Sequence, residues 1–341
     1  MIILSEKKKI DILKMLSSAV LMSAAVLLWW LFGEARLHGI ARSLLMGASA
    51  AFVIEAVILL LMKSRKKTVR IIKVIIILIV NISVFSCVAV YGFSEAIVLK
   101  PHSDDSAYNE LQKNGTAEEI IIDGKQGKIH GWFYNTAGED APTVLYFYGN
   151  YETASTRLSF LSKDYSSSPF DGCNFAVFDY PAYGKSEGIC SDKALLDFSL
   201  DVYDGIRERT DNLIVLGYSV GTGPAIYLAS HRDVSALILY APYSDGYDLY
   251  NNVLDIFYGP LKKLVSFNIE SIGYAENVSE KTLILASEND RLIPFSSSVR
   301  LSEAFSDASF ITVSPIGHNE FLSDEKVKAL TESFISEVTV Q

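Results

Sequence analysis

One serine stands between two glycines in Gly217-Tyr218-Ser219-Val220-Gly221. The apolar run 213–216 before it reads as a strand, and 220–230 after it as a helix. A serine at such a strand-to-helix turn is lifted above the sheet edge, and glycines two residues to either side let strand and helix approach closely. The helix N-terminus beneath it favours the negative charge that develops during acyl transfer. Taken alone, the pattern also describes a glycine-rich turn with an idle serine. A free serine hydroxyl is a poor nucleophile and needs a base. His318, in Gly317-His318-Asn319-Glu320, follows the strand-like run 309–313, and Asp290 follows the run 282–286. Serine, acid and histidine therefore occur in that chain order, each just beyond a strand. In that arrangement His318 takes the Ser219 proton, while Asp290 fixes the imidazole tautomer and stabilises the imidazolium. Two backbone N–H groups must then receive the oxyanion. One is expected from Val220 and the other from Asn150, in the Gly149-Asn150-Tyr151 loop after the run 143–148. That tripeptide also reads as an ordinary turn.

The remaining histidines fit less well. His130 lies inside a strand-like run and His231 at a helix end, where structural roles are expected, while His38 and His102 are expected outside the folded domain. Asp245, after the run 236–240, competes for the acid, but Asp290 sits on the loop before the histidine-bearing strand and is favoured.

Strand-like runs at 119–123, 129–134, 143–148, 174–180, 213–216, 236–240, 282–286 and 309–313 must position these groups. Helical patterns at 194–208, 220–230, 297–305 and 325–338 separate most of the later ones. Strands first, then strand alternating with helix, implies an α/β domain over 117–341 with a mostly parallel sheet flanked by helices. Ligands bind at the C-terminal strand ends of such sheets. The aromatic and aliphatic stretch 243–279 interrupts the rhythm and is expected to form a small cap-like insert. Residues 101–116 are polar, and 96–116 reads as a linker. Cys87, Cys173 and Cys190 show no metal or redox spacing, and Cys173 and Cys190 are expected free.

The domain resembles the α/β-hydrolase superfamily, and within it a membrane-associated branch of serine hydrolases that includes protein depalmitoylases. Four motifs carry the resemblance: Phe147-Tyr148-Gly149-Asn150, the stretch from Phe178-Asp179-Tyr180 to Gly188, the serine turn Gly217 to Gly221, and Asp290 to Pro294 followed by Gly317-His318-Asn319-Glu320. Tyr148 stands where the family usually has histidine, and Pro181-Ala182 where it has Arg-Gly. Asp179 and Tyr183 are read as holding their turn. The resemblance implies the α/β-hydrolase fold and no metal or organic cofactor.

The rest of the chain has a different character. Residues 1–100 carry 13 Lys and Arg against 5 Asp and Glu, while residues 101–341 carry 17 against 35. The overall net charge of -10 argues against a general nucleic-acid binder, and the split excludes one uniform globular domain. Apolar runs at about 15–32, 44–62 and 74–91 match the roughly 20 residues that cross a bilayer. Residues 1–95 are accordingly expected to be an anchor of three transmembrane helices. Glu55 in the second should be protonated or paired, with Asn81 as a partner. Lysines at 7, 8, 9 and 14 and six basic residues between 63 and 73 favour the cytoplasmic side, which puts the catalytic domain on the extracytoplasmic side. The expected protein is a membrane-anchored serine hydrolase acting on an acyl ester or thioester of lipid-like character. A peptidase of the same fold and a catalytically silent membrane-anchored scaffold are the alternatives. Its partners would be that substrate and the membrane, without nucleic acid; the sequence leaves the oligomeric state open.

Overall fold

The computed structural model describes residues 97–339 continuously, with isolated positions before them. The expected spans at 15–32, 44–62 and 74–91, together with Glu55, Asn81, His38 and Cys87, fall outside that stretch. Among the described residues no helix is long and apolar enough to cross a membrane. The chain divides into two compact units, Met1–Ile97 with Tyr258–Ser266, and Val98–Phe257 with Phe267–Gln341. In the first, the Ser266 amide donates to Ser94 Oγ at 2.9 Å. The second carries the sheet.

Eight strands, β1 (Glu118–Gly124), β2 (Gly127–Tyr134), β3 (Thr143–Phe147), β4 (Asn174–Phe178), β5 (Leu213–Tyr218), β6 (Ala236–Tyr240), β7 (Thr282–Ala286) and β8 (Ala308–Thr312), form one sheet. Their order is β1-β2-β4-β3-β5-β6-β7-β8. β1 and β2 make an antiparallel hairpin, β2 runs antiparallel to β4, and every later pairing is parallel. β3 to β7 are buried at every position, which explains their unbroken apolar sequences: a parallel strand covered on both faces has no solvent side to mark with polar residues. The outer strands β1 and β8 keep exposed positions. Phe147 is level with Gly217, and Tyr218 with Tyr240, so β3, β5 and β6 end close together.

The helices are α1 (Asp105–Asn114), α2 (Ala154–Leu161), α3 (Asp192–Ile206), α4 (Thr222–Ala229), α5 (Gly246–Asn251), α6 (Ser271–Ala275), α7 (Phe295–Ser302) and α8 (Glu325–Thr339). α3 starts at Ser191, whose side chain accepts from the Ala194 amide, and it buries Leu195, Phe198, Val202 and Ile206 at helical spacing. α8 buries Val327, Thr331, Phe334 and Ile335 in the same way.

The stretch 96–116, read from sequence as a linker, contains a packed helix. The Asp104 carboxylate accepts from the Ser106 and Ala107 amides, Gly115 closes α1 in the left-handed conformation, and Ala107 and Leu111 are buried. The folded unit also begins earlier than 117, because Val98 and Leu99 are buried. The Val98 carbonyl accepts from Asn150 Nδ2 at 2.8 Å, the Lys100 amide donates to Tyr183 Oη at 2.7 Å, and the His102 carbonyl accepts from the Gly184 amide. His102, expected outside the folded domain, is thus built into it, its ring edge-on to Tyr183. The excursion between β6 and β7 holds α5, α6 and a short 3-10 turn at Gly259–Leu264. Cys173 and Cys190 are both buried, Cys173 as a free thiol.

Candidate active site

β5 ends at Tyr218, and Ser219 takes φ +54°, a left-handed conformation that costs a non-glycine residue about 1–2 kcal/mol. The flanking glycines are dictated by contact. A Cβ on Gly221 would sit 2.2 Å from the Phe147 carbonyl oxygen, and one on Gly217 would sit 2.7 Å from Thr222 Cα. Only glycine lets the turn nest against the end of β3 and the start of α4. A hydrogen bond from Thr222 Oγ1 to the Ser219 carbonyl, 2.7 Å, fixes the start of the helix.

Two other loops bring the partners. After β7, Asp290 Oδ1 accepts from the Leu292 and Ile293 amides at 2.8 and 2.9 Å, which orients the carboxylate. After β8, His318 opens a 3-10 turn whose entry is held by the Gly317 amide donating to Glu320 Oε2 at 2.6 Å. The two loops are tied together: Ser287 Oγ donates to the Ile316 carbonyl at 2.6 Å, and the Glu288 amide donates to Ser314 Oγ at 3.0 Å. In the result, His318 Nδ1 lies 2.6 Å from Asp290 Oδ2 and His318 Nε2 lies 2.9 Å from Ser219 Oγ. The Asp290 side chain is 2% exposed and that of His318 8%, so their pairing is shielded from water. An ionised carboxylate only accepts hydrogen bonds, so Nδ1 carries the ring proton and Nε2 accepts from the serine hydroxyl.

The three residues expected to act together are therefore adjacent. Asp245, the competing acid, instead caps α5, accepting from the Tyr247 amide at 2.7 Å. His130 contacts Glu119 within the β1–β2 hairpin, and His231 lies exposed against the Tyr227 carbonyl. Val220 follows Ser219 in the turn. The Gly149-Asn150 loop lies alongside, since a Cβ on Gly149 would be 3.7 Å from Ser219 Cβ. Asn150 Nδ2 holds this loop to the Val98 carbonyl, and Glu152 holds it in an ion pair with Arg157 of α2 at 2.7 Å.

Tyr148, just after β3, is completely buried. Its hydroxyl accepts from the Tyr180 amide at 2.9 Å, and the Tyr180 hydroxyl donates to the Tyr148 carbonyl at 2.7 Å. The two rings lie 4.2 Å apart. This reciprocal pair locks the loop after β3 to the loop after β4. Burial raises the Tyr148 hydroxyl well above the ordinary tyrosine value, so it stays neutral. Asp179 accepts from the Ala154 and Lys185 amides at 2.7 and 3.0 Å. Burial raises its carboxyl and these bonds oppose the shift. Asp179 thus joins the start of α2 to the β4 turn, and Tyr183 braces the Val98 segment, consistent with holding the turn rather than reacting.

A separate cavity of about 420 Å³ has Tyr146, Phe175, Tyr240 and Phe321 in its lining, and Ser219 does not line it. Among the described residues no group of His, Cys, Asp and Glu is arranged to hold a metal ion. Sequence reading did not single out Tyr218. Its only sequence signal is an aromatic residue immediately before the serine; its partner is His318, 99 residues beyond that serine.

No family model matches the chain. An uncharacterized protein of Mycobacterium tuberculosis is 24% identical over 231 residues, covering 65% of this chain and 80% of that one. Alpha/beta hydrolase domain-containing protein 17C of Mus musculus is 28% identical over 226 residues, covering 64% of this chain and 68% of its own. Among solved structures, the Pyrococcus furiosus esterase Pf2001 superposes with a TM-score of 0.54 at 17% identity, over 71% of this chain and 98% of that one. Est1E from Butyrivibrio proteoclasticus, solved with ferulic acid bound, gives 0.53 at 16% identity, over 65% of this chain and all of that one. The chain has the α/β-hydrolase fold.

Proposed function

We propose that the chain is a serine hydrolase that cleaves a carboxylic ester or thioester through an acyl-Ser219 intermediate. The observation that carries this reading is His318 bridging Ser219 Oγ and Asp290 Oδ2 from three separate strand-end loops. Attack of Ser219 Oγ on the substrate carbonyl passes its proton to His318 Nε2, and Asp290 stabilises the imidazolium. The tetrahedral oxyanion is received by the Val220 and Asn150 backbone N–H groups. His318 returns the proton to the departing alcohol or thiol, which leaves acyl-Ser219. Water then attacks the acyl carbon, giving its proton to Nε2, and Ser219 leaves with that proton as the free acid is released. The esterase and hydrolase names of the similar proteins favour this class. The three apolar runs before residue 95 make the enzyme a membrane-anchored one with its catalytic domain on the extracytoplasmic side, and make a lipid-like acyl chain the fitting substrate.

The test is steady-state hydrolysis of acyl esters and thioesters of increasing chain length by the purified full chain. Turnover in the wild type, lost in Ser219→Ala and in His318→Gln, supports the reading. Turnover that survives Ser219→Ala, or cleavage of peptides alone, contradicts it.

A further inference from the structure

Resting on the serine-hydrolase reading, we infer that Tyr218 is the positioning residue of the catalytic base, registering the histidine loop against the nucleophile turn.

Its hydroxyl donates to the His318 backbone carbonyl at 2.7 Å. Its ring stacks on the imidazole with centroids 5.4 Å apart and planes 24° apart. Phe321, one turn beyond His318, lies against the same ring at 6.4 Å. Tyr218 also meets the Gly149 loop, where a Cβ on Gly149 would be 3.3 Å from its ring. Tyr218 is 6% exposed and its hydroxyl–carbonyl bond is buried, so the bond does not compete with bulk water.

Asp290 and Ser219 set the direction of the imidazole in its own plane, because each bonds one ring nitrogen. Neither bond fixes the height of the ring or the position of its backbone. Tyr218 supplies both restraints: its ring face limits the tilt of the imidazole, and its hydroxyl pins the carbonyl of the same residue. Because Tyr218 is bonded directly to Ser219, any shift of the base loop relative to the nucleophile must break this contact. A displacement of about 1 Å between reacting groups costs roughly 100-fold in rate. The charged and titratable groups around the histidine are Asp290 from the β7 loop, Glu320 on its own turn, and the Glu152–Arg157 pair near Tyr218. None of these supplies a stacking face.

The experiment compares wild type, Tyr218→Phe and Tyr218→Leu in the full chain. A soluble short-chain ester reports kcat and KM, a fluorophosphonate reports the rate of Ser219 modification, and thermal unfolding reports folding. Tyr218→Phe keeps the ring and loses the hydroxyl; its kcat is expected to fall about tenfold with KM unchanged. Tyr218→Leu loses both restraints and is expected to fall roughly 100-fold, again in kcat and in the modification rate rather than in KM. Wild-type kcat and modification rate in both variants would overturn the proposal. So would losses that appear equally in kcat and KM and track a lowered Tm, since that marks a packing role. A wild-type chain that neither turns over nor reacts with the fluorophosphonate would overturn the hydrolase reading itself, a result distinct from wild-type activity that Tyr218 does not affect.

Discussion

At the residue scale, the site depends on a few atoms held against steric and hydrogen-bonding constraints. Asp290 orients His318 with one oxygen while two amides hold the other. Asp290→Asn keeps the shape but puts an amide where an acceptor is required, which favours the wrong imidazole tautomer. We predict a fall in kcat of about 10⁴-fold with a near-normal Tm, read from steady-state kinetics and thermal unfolding. Gly221→Ala sets a methyl group 2.2 Å from the Phe147 carbonyl, a backbone atom with no rotamer to yield. Destabilisation of at least about 2 kcal/mol is expected in denaturant titration. Ser219, Asp290 and His318, which the structure brings together, were legible in sequence because each follows an apolar strand; His130 inside a strand and His231 at a helix end were set aside by position, and Asp245 because Asp290 lies on the loop before the histidine-bearing strand. Tyr218 was not legible: its contact with the His318 carbonyl joins residues 100 positions apart and leaves no local pattern.

At the element scale, strands were easier to read than helices. The β3, β5, β6 and β7 runs are continuous and apolar because both faces are covered, and that composition is visible directly. α1 was hidden because it buries only Ala107 and Leu111 and otherwise shows a polar surface, so its signals were the Asp104 cap and Gly115 alone. α2 was hidden because its buried face includes Ser155 and Ser159, which read as solvent-facing. In the structure Ser155 accepts from Trp132 Nε1 and Ser159 donates to Glu110. The segment entering the domain also does more than connect. The Val98 carbonyl holds the Asn150 side chain, so Asn150→Ala, which keeps the backbone N–H proposed to receive the oxyanion, should lower kcat about tenfold by loosening that loop. Unchanged kcat would remove the segment from the catalytic account. Burial pushes the Cys173 thiol up to about 11, and the thiolate is the reactive form. Iodoacetamide at pH 8 should therefore leave Cys173 unmodified in the native chain and alkylate it after denaturation, as read by mass spectrometry.

At the scale of the whole molecule, the chain joins a basic, apolar first part to an acidic folded unit. That unit begins at Val98, close to where the charge changes sign, and carries Ser219, Asp290 and His318. On the topology proposed above, a membrane-impermeant fluorophosphonate should label intact cells expressing the chain; labelling only after lysis would place the domain on the cytoplasmic side. The central claim is narrower: Ser219 is a nucleophile activated by His318 and Asp290. The most direct measurement is reaction of the purified full chain with a fluorophosphonate, followed by mass spectrometric mapping of the modified residue. The account predicts one adduct, on Ser219, that is absent in Ser219→Ala and strongly slowed in His318→Gln. An unreactive wild type, or an adduct on another residue that persists in Ser219→Ala, would contradict it.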